Sequence, residues 1–335
     1  VPGERERLAQ RRPALEARAR VLRAIRGWFE EQGFLEVDTP ARVRAPGQEV
    51  HLDAFAAGVG MEGDGGGEGR WLITSPEYAM KRLCGAGFER IVSIGKCWRA
   101  GERGPHHEPE FTMIEWYRAG EPLARIAEDC QALLRLAAAA GGAAAGAAAA
   151  ALAAPFARTT VRALMARHAG LTIDGDETAA ELAARARAAG VEVGGAAAWE
   201  DVFFQVWLDR VEPHLGDAAP TFVFDWPAPL GALARRQSGD PRLAERFELY
   251  AGGLELANAF GELTDAEEQR ARFTAESAAR RRRGKAVYPI DEALLAALAG
   301  MPPTSGVALG FDRVMMFVLG AREIRQVMAF AADEI

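Results

Sequence analysis

The chain has 335 residues, 49% of them hydrophobic, a formal net charge of −7 and an isoelectric point near 5.5. That length supports one large core, or a core with a smaller appendage, and the acidic balance argues against a surface built to neutralise nucleic-acid phosphates. No run of about 18 uncharged apolar residues marks a membrane span, residues 1–20 are too rich in Arg and Glu for a secretory signal, and Cys84, Cys97 and Cys130 form neither a CxxC pair nor a metal spacing, which reads as reduced thiols in a cytoplasmic protein.

In chain order, residues 13–32 read as a helix, with Leu15, Leu22, Ile25 and Phe29 at seven-, three- and four-residue steps. Gly33 ends it, and residues 34–37 read as a strand stopped before Pro40. The glycine-rich residues 58–69 have the character of a hairpin tip or loop, and residues 71–74 resume as a strand. Ser75-Pro76 then fits an N-cap followed by proline at the first helical position, opening a helix to about Cys84. Two strands follow at residues 90–99 and 110–118, joined by a polar loop. From residue 123 to about 189 the pattern is helical, with a low-complexity alanine run at 137–154 broken by Gly141, Gly142 and Gly146. Residues 123–220 as a whole read as an alanine-rich helical insertion within a single domain spanning 1–335.

Residues 221–225 make a short strand, and residues 246–250 and 254–258 a hairpin around Gly252-Gly253. A charged helix covers about 265–283. Its run Arg280–Arg283 reads as a solvated face, with a docking site for an acidic partner left open. A glycine-spaced strand at 306–310 leads into an apolar helix at 311–319. Strands, then helices, then strands without βαβ alternation predict an α+β fold with a central antiparallel sheet flanked by helices. There is no G-x-x-x-x-G-K-[ST] loop, so any use of ATP needs another architecture.

Three clusters carry chemistry. In Cys97-Trp98-Arg99-Ala100-Gly101-Glu102 and His107 through Tyr117, strand alternation puts Phe111, Met113, Glu115 and Tyr117 on one face and Thr112, Ile114 and Trp116 on the other. An aromatic ring there can stack on a base, a carboxylate and a phenol can hold an ammonium, and Arg99 at the end of the preceding strand can grip a phosphate. Periodicity alone leaves open a polar edge on an ordinary hairpin. In the second cluster, a two-residue turn sets Tyr250 opposite Glu255 and brings Glu248 diagonally close to Glu255, a pair that Mg²⁺ bridging nucleotide phosphates would fill; a solvated face is the other reading. Asn258 and Glu262 reach the same pocket only if a bulge falls near residues 257–261, where Gly261 would help. In the third, Ser305 through Arg313, a glycine-spaced strand enters a helix and puts Arg313 in its first turn. Adjacent His106 and His107 point apart on an extended chain, which disfavours a metal and leaves His107 as a phosphate donor.

Together these clusters resemble motifs 2 and 3 of the class II aminoacyl-tRNA synthetases, in the lysyl subgroup. The helix before Gly33 through Pro40 is similar to the dimer-forming motif 1, and Thr74 through Leu83 resembles the lysyl-specific segment. The match covers about residues 15–330. It implies the class II synthetase catalytic fold and a homodimer, with ATP as co-substrate and Mg²⁺. It also implies roles. Arg99 would bind the α-phosphate and His107 the polyphosphate; Phe111 would stack on adenine, with Arg313 on the other side and reaching the γ-phosphate; Glu248 and Glu255 would hold Mg²⁺. Ser75, Glu77, Glu115, Tyr117, Asn258 and Glu262 would line the amino-acid pocket, Tyr117 and Glu262 gripping the ε-ammonium.

Lysyl-tRNA synthetases carry an N-terminal anticodon-reading OB-fold, and only about a dozen residues precede the motif 1 helix here. That pattern resembles the elongation factor P–lysine ligases, synthetase paralogues that attach (R)-β-lysine to a lysine of that factor and need no anticodon recognition. Ala308, where the synthetases usually have glycine, also looks ligase-like and would reshape the pocket floor. The resemblance thus implies activation of (R)-β-lysine or lysine as an aminoacyl-adenylate and transfer to elongation factor P. A truncated synthetase that charges tRNA, and a silent paralogue acting as a regulatory binding module, are the competing readings. Motif 2's usual Arg-Asn-Glu stands here as Arg99-Ala100-Gly101-Glu102, so the carboxylate that reads the adenine amino group is either lost or supplied by Glu102. Glu108 replaces a common asparagine, and Ala259 a common glycine.

Overall fold

A computed structural model describes residues 3–59, 69–194 and 198–335. The first helix, α1 (Glu4–Glu31), is longer than its periodicity predicts and runs through Pro13. Proline removes one helical hydrogen bond, but Arg11 is clamped to both carboxylate oxygens of Glu334 at 2.7 Å, which pins the early turns to the end of the chain. Ala17, Val21, Ile25 and Phe29 form the buried stripe. After it come β1 (Leu35–Glu36), β2 (Arg42–Val43), β3 (Ala56–Val59) and β4 (Gly69–Leu72), with β2, β4 and β3 forming a small sheet. Most of the glycine-rich stretch expected as a hairpin tip lies outside the described residues. Helix α2 (Glu77–Gly85) starts one residue later than predicted, with the Ser75 hydroxyl accepting from the Glu77 N–H at 3.0 Å.

Strands β5 (Arg90–Trp98) and β6 (Glu110–Ala119) precede α3 (Leu123–Gly141), a short 3-10 turn and α4 (Gly146–Ala153). By length and apolarity alone, residues 123–153 would pass for a membrane span. Instead the run breaks at the turn, and Ile126, Leu133 and Leu134 pack into the core with α1. The region expected to be wholly helical contains a strand, β7 (Ala157–Thr160), before α5 (Val161–Leu164), α6 (Ala179–Ala188) and α7 (Trp199–Val206). Strands β8 (Thr221–Pro227), β9 (Leu243–Ala251) and β10 (Leu254–Gly261) follow, then α8 (Ala266–Arg282), α9 (Glu292–Leu298), β11 (Thr304–Gly310) and α10 (Phe311–Leu319).

The large sheet has the order β1-β5-β6-β11-β10-β9-β8-β7. Its six central strands are antiparallel, as expected; β1 and β7 at the two edges pair in parallel with β5 and β8. The β9–β10 hairpin turns on Gly252 and Gly253 with φ of 59° and 71°, the left-handed pair that a two-residue turn requires. One sheet face carries Ile114, Trp116, Phe247, Leu249, Val307 and Leu309 into a core with α1, α3 and α10. A second core gathers α6, α7 and β8, where Phe203, Trp207 and Trp226 pack ring on ring. The three cysteines are free and buried, and burial pushes the Cys84 and Cys97 thiols up to about 12, away from reactivity. The four-arginine run is not a continuous solvated face. Arg280 is fully buried (0%) and donates to Glu49 O, Leu52 O and Asp53, because the helix turns it inward beneath Tyr288.

Candidate active site

The opposite face of the sheet opens into a cavity of about 1050 Å³, at the upper end of ligand-site volumes. Its walls carry Ser75, Glu77, Arg99, Glu102, His107, Phe111, Glu248, Glu255, Asn258, Ala308 and Arg313. These residues come from seven separate stretches of chain. Three other expected site residues, Glu115, Tyr117 and Glu262, do not line the cavity wall; they are buried next to it.

Alternation in β6 works as the sequence predicts: Phe111 and Met113 reach the cavity while Ile114 and Trp116 enter the core. The required bulge also exists, one step earlier than expected. Glu255 pairs with Tyr250 and Ala257 with Leu249, so Leu256 is the extra residue and the register shifts there. Asn258 then stands directly opposite Glu248, on the cavity side with Glu255. Gly261 is not the bulge; a side chain there would run into Glu245.

At one end of the cavity lies a pocket of carboxylates. The Tyr117 hydroxyl donates to Glu115 Oε1 at 2.7 Å and the Ser75 hydroxyl to Oε2 at 2.8 Å. Burial, then the charge of Glu77, pushes Glu115 up to about 8. Gly306 leaves room for the Tyr117 ring and for Glu262 Oε1, since a Cβ there would strike both. Glu262, expected to grip a substrate ammonium, has its Oε2 2.6 Å from Lys81 Nζ, and the same ammonium reaches Glu77 Oε1 at 2.7 Å. Burial works against the charge on Lys81, but Glu262 and Glu77 outweigh it and hold the ammonium above the usual lysine range. Lys81 was missed from the sequence, although its i,i+4 spacing from Glu77 on a helix was a visible signal.

The other end collects cations. Arg313 donates from Nη1 to the Glu255 carbonyl at 2.9 Å and lies 3.6 Å from its carboxylate. Its Nη2 donates to His107 Nε2 at 2.5 Å. Burial, then the Arg313 charge, lowers the His107 pKa and keeps the ring neutral enough to accept. Arg99 pairs with Glu102 at 3.7 Å and lies over the Phe111 ring, 5.0 Å from its centre. A base stacking on that ring face must therefore displace Arg99.

Between the ends, Arg246 binds Glu248 and donates to Asn258 Oδ1 at 3.2 Å, while stacking 4.3 Å over Trp226. It is a second positioning residue that sequence reasoning passed over. The Tyr250 hydroxyl donates to Glu248 at 2.6 Å, and burial followed by the charge of Glu255 pushes Glu248 up to about 7. That repulsion is what a shared divalent cation relieves. No group of three metal-ligating side chains occurs among the described residues. Glu248 and Glu255 would suit a hard cation that took its remaining ligands from phosphate oxygens and water.

Comparison with known proteins identifies the family. The chain matches the family of tRNA synthetases class II (D, K and N) over residues 6–334. It is 40% identical over 326 residues to the elongation factor P–(R)-β-lysine ligase of Klebsiella pneumoniae (strain 342), covering 96% of this chain and 95% of that protein. The ligases of the same name from Enterobacter sp. (strain 638) and Salmonella schwarzengrund (strain CVM19633) are 39% identical over the same shares. A family match over residues 6–334 and relatives about 40% identical along nearly the whole length lead to one conclusion: the chain belongs to the class II tRNA synthetases of the D, K and N type.

Proposed function

We propose that this chain activates (R)-β-lysine, or lysine, with ATP and passes the acyl group to a lysine side chain of elongation factor P. The observation that carries the reading is the division of one cavity into a carboxylate pocket around Glu115 and Glu77 and a cationic end at Arg99, Arg313 and His107. An amino acid with a distal ammonium fits the first, and a triphosphate the second. The names of relatives 39–40% identical along nearly the whole chain support the same chemistry.

In this reading Phe111 stacks on adenine and Glu102 reads its amino group. Arg99 leaves the ring for the α-phosphate, His107 meets the polyphosphate, and Arg313 covers the base and reaches the γ-phosphate. When bound, Mg²⁺ held by Glu248 and Glu255 neutralises phosphate charge. Ser75, Glu77, Glu115, Tyr117, Asn258 and Glu262 seat the amino acid over Ala308. The substrate carboxylate attacks the α-phosphorus in line, the bond to the bridging oxygen breaks and pyrophosphate leaves. Positioning and charge neutralisation by Arg99 and Arg313 carry the rate, without a protein nucleophile. The acceptor amine then attacks the acyl carbon, loses a proton and displaces AMP. Two copies associate through α1 and the edge strand β1, where Leu35 is 52% exposed; sedimentation as a monomer would remove that part of the reading.

Incubating the chain with ATP, elongation factor P and each lysine isomer, then weighing the acceptor, tests the proposal. A mass gain of one lysyl residue is expected. An acceptor unchanged with every isomer, with lysine appearing on tRNA instead, would favour the truncated synthetase.

A further inference from the structure

Glu49 lies in the loop between β2 and β3 and lines the same cavity. Its backbone is tied down, because its carbonyl accepts from Arg280 at 2.7 Å and from the Leu52 N–H at 3.2 Å. The neighbouring Gln48 amide donates to Pro289 O at 2.9 Å and its oxygen accepts from Ser277 at 3.0 Å. The carboxylate itself is different. Its Oε2 is sealed from solvent and has no hydrogen-bond partner among the described residues. A buried acceptor left unpaired costs free energy unless a ligand completes it.

The position of that oxygen is specific. A Cβ on Gly47 would sit 2.5 Å from Glu49 Oε2 and 3.0 Å from Thr74 Oγ1, so the carboxylate fills the space beside Thr74 that only a glycine leaves open. Arg99 Nε donates to the carbonyl of the same Thr74 at 3.4 Å. Glu49 therefore stands at the Arg99 end of the amino-acid pocket, whereas Tyr117 and Glu262 close the deep end around Gly306. The deep carboxylates are already engaged: Glu77 and Glu262 by Lys81, Glu115 by Ser75 and Tyr117. Burial, then the charge of Glu77, holds Glu49 above the usual carboxylate range, as for a group awaiting a cation.

We propose that Glu49 is a specificity-determining residue that receives the substrate's second ammonium, the one next to the reacting carboxylate. This rests on the proposed function: with the distal amine in the deep pocket and the carboxylate beside Arg99, an amine on the carbon chain near that carboxylate comes to the Glu49 side chain, which lines the cavity there. An ammonium has three donors and supplies the charge-assisted hydrogen bond that the Glu49 carboxylate lacks. Glu49 thus distinguishes diamino acids from monoamino acids of equal length.

The test measures ATP–pyrophosphate exchange with (R)-β-lysine and lysine, and inhibition of that exchange by 6-aminohexanoate, which keeps the distal amine and lacks the second. Glu49→Gln should raise KM for the diamino acid at least about tenfold and change the 6-aminohexanoate inhibition constant less than about twofold. Glu49→Asp, which keeps the charge but withdraws it by one methylene, should show the same split and carries the test if the glutamine variant does not fold. Equal shifts for both ligands, or a shift in neither, would overturn the assignment. Wild-type protein that exchanges with neither diamino acid would instead remove the function on which the assignment rests.

Discussion

Ile114 and Glu115 are neighbours in β6, as are Leu309 and Ala308 in β11, yet each pair divides between two environments. On the α1–α3–α10 side, Ile114 and Leu309 are buried among apolar groups. The buried carboxylates near it each meet a guanidinium: Asp129 meets Arg118 at 2.6 Å, and Asp312 meets Arg18 at 2.6 Å. On the cavity side, Glu49, Glu77, Glu115 and Glu262 gather near the ammonium of Lys81, with Arg99 at the outer edge. The first face is assembled for stability. The second holds a surplus of buried carboxylate that folding alone does not reward, and a cationic ligand explains it.

The largest effect should come from the ammonium that sits between two of these carboxylates. Lys81→Met removes the ammonium paired with both Glu77 and Glu262 and should destabilise the protein by about 3–5 kcal/mol, read from urea unfolding at neutral pH. An unchanged midpoint would mean the pocket tolerates its charge by other means. Next, Arg99→Ala should cost at least about 3 kcal/mol of transition-state stabilisation in pyrophosphate exchange and leave the unfolding midpoint nearly unchanged. Leu309→Ala should do the reverse, losing about 2–3 kcal/mol of stability with KM for the amino acid unaltered. A common response to both would erase the distinction between the faces.

The smallest effect is in pH. Burial raises the Glu115 carboxyl to about 8, so it is neutral below that pH and anionic above it. A raised carboxyl binds its proton more tightly in the folded protein. Its stabilising contribution is therefore complete below the unfolded value near 4.5 and fades as pH rises through 8. An ammonium substrate prefers the anionic form. KM should fall as pH rises from 6 to 8.5, and Glu115→Gln should flatten that fall.

Much of the sheet was legible because its strands alternate cleanly and its turn is written as Gly252-Gly253. The β6 face assignment followed from side-chain period, and the β11–α10 junction from glycine spacing ahead of an apolar run. The bulge was anticipated from the need to turn Asn258 and Glu255 the same way, but its position at Leu256 depends on the β9 register, which no local signal prints. Strand β7 was hidden because four residues at a sheet edge, next to an alanine run, give no period to read. At the site, individual carboxylates were visible from their motifs. What was not visible was which of them were already paired: Lys81 and Arg246 act through contacts set by tertiary packing, and Glu49 matters because of an oxygen left without a partner.

The most direct test of the account is ATP–pyrophosphate exchange by the wild-type chain, with and without (R)-β-lysine or lysine. Exchange that requires one of these diamino acids and is lost in Arg99→Ala is the predicted result. Absence of exchange with both, or exchange that survives Arg99→Ala at near wild-type rate, would contradict the claim that the charged face of the sheet is an amino-acid-activating site.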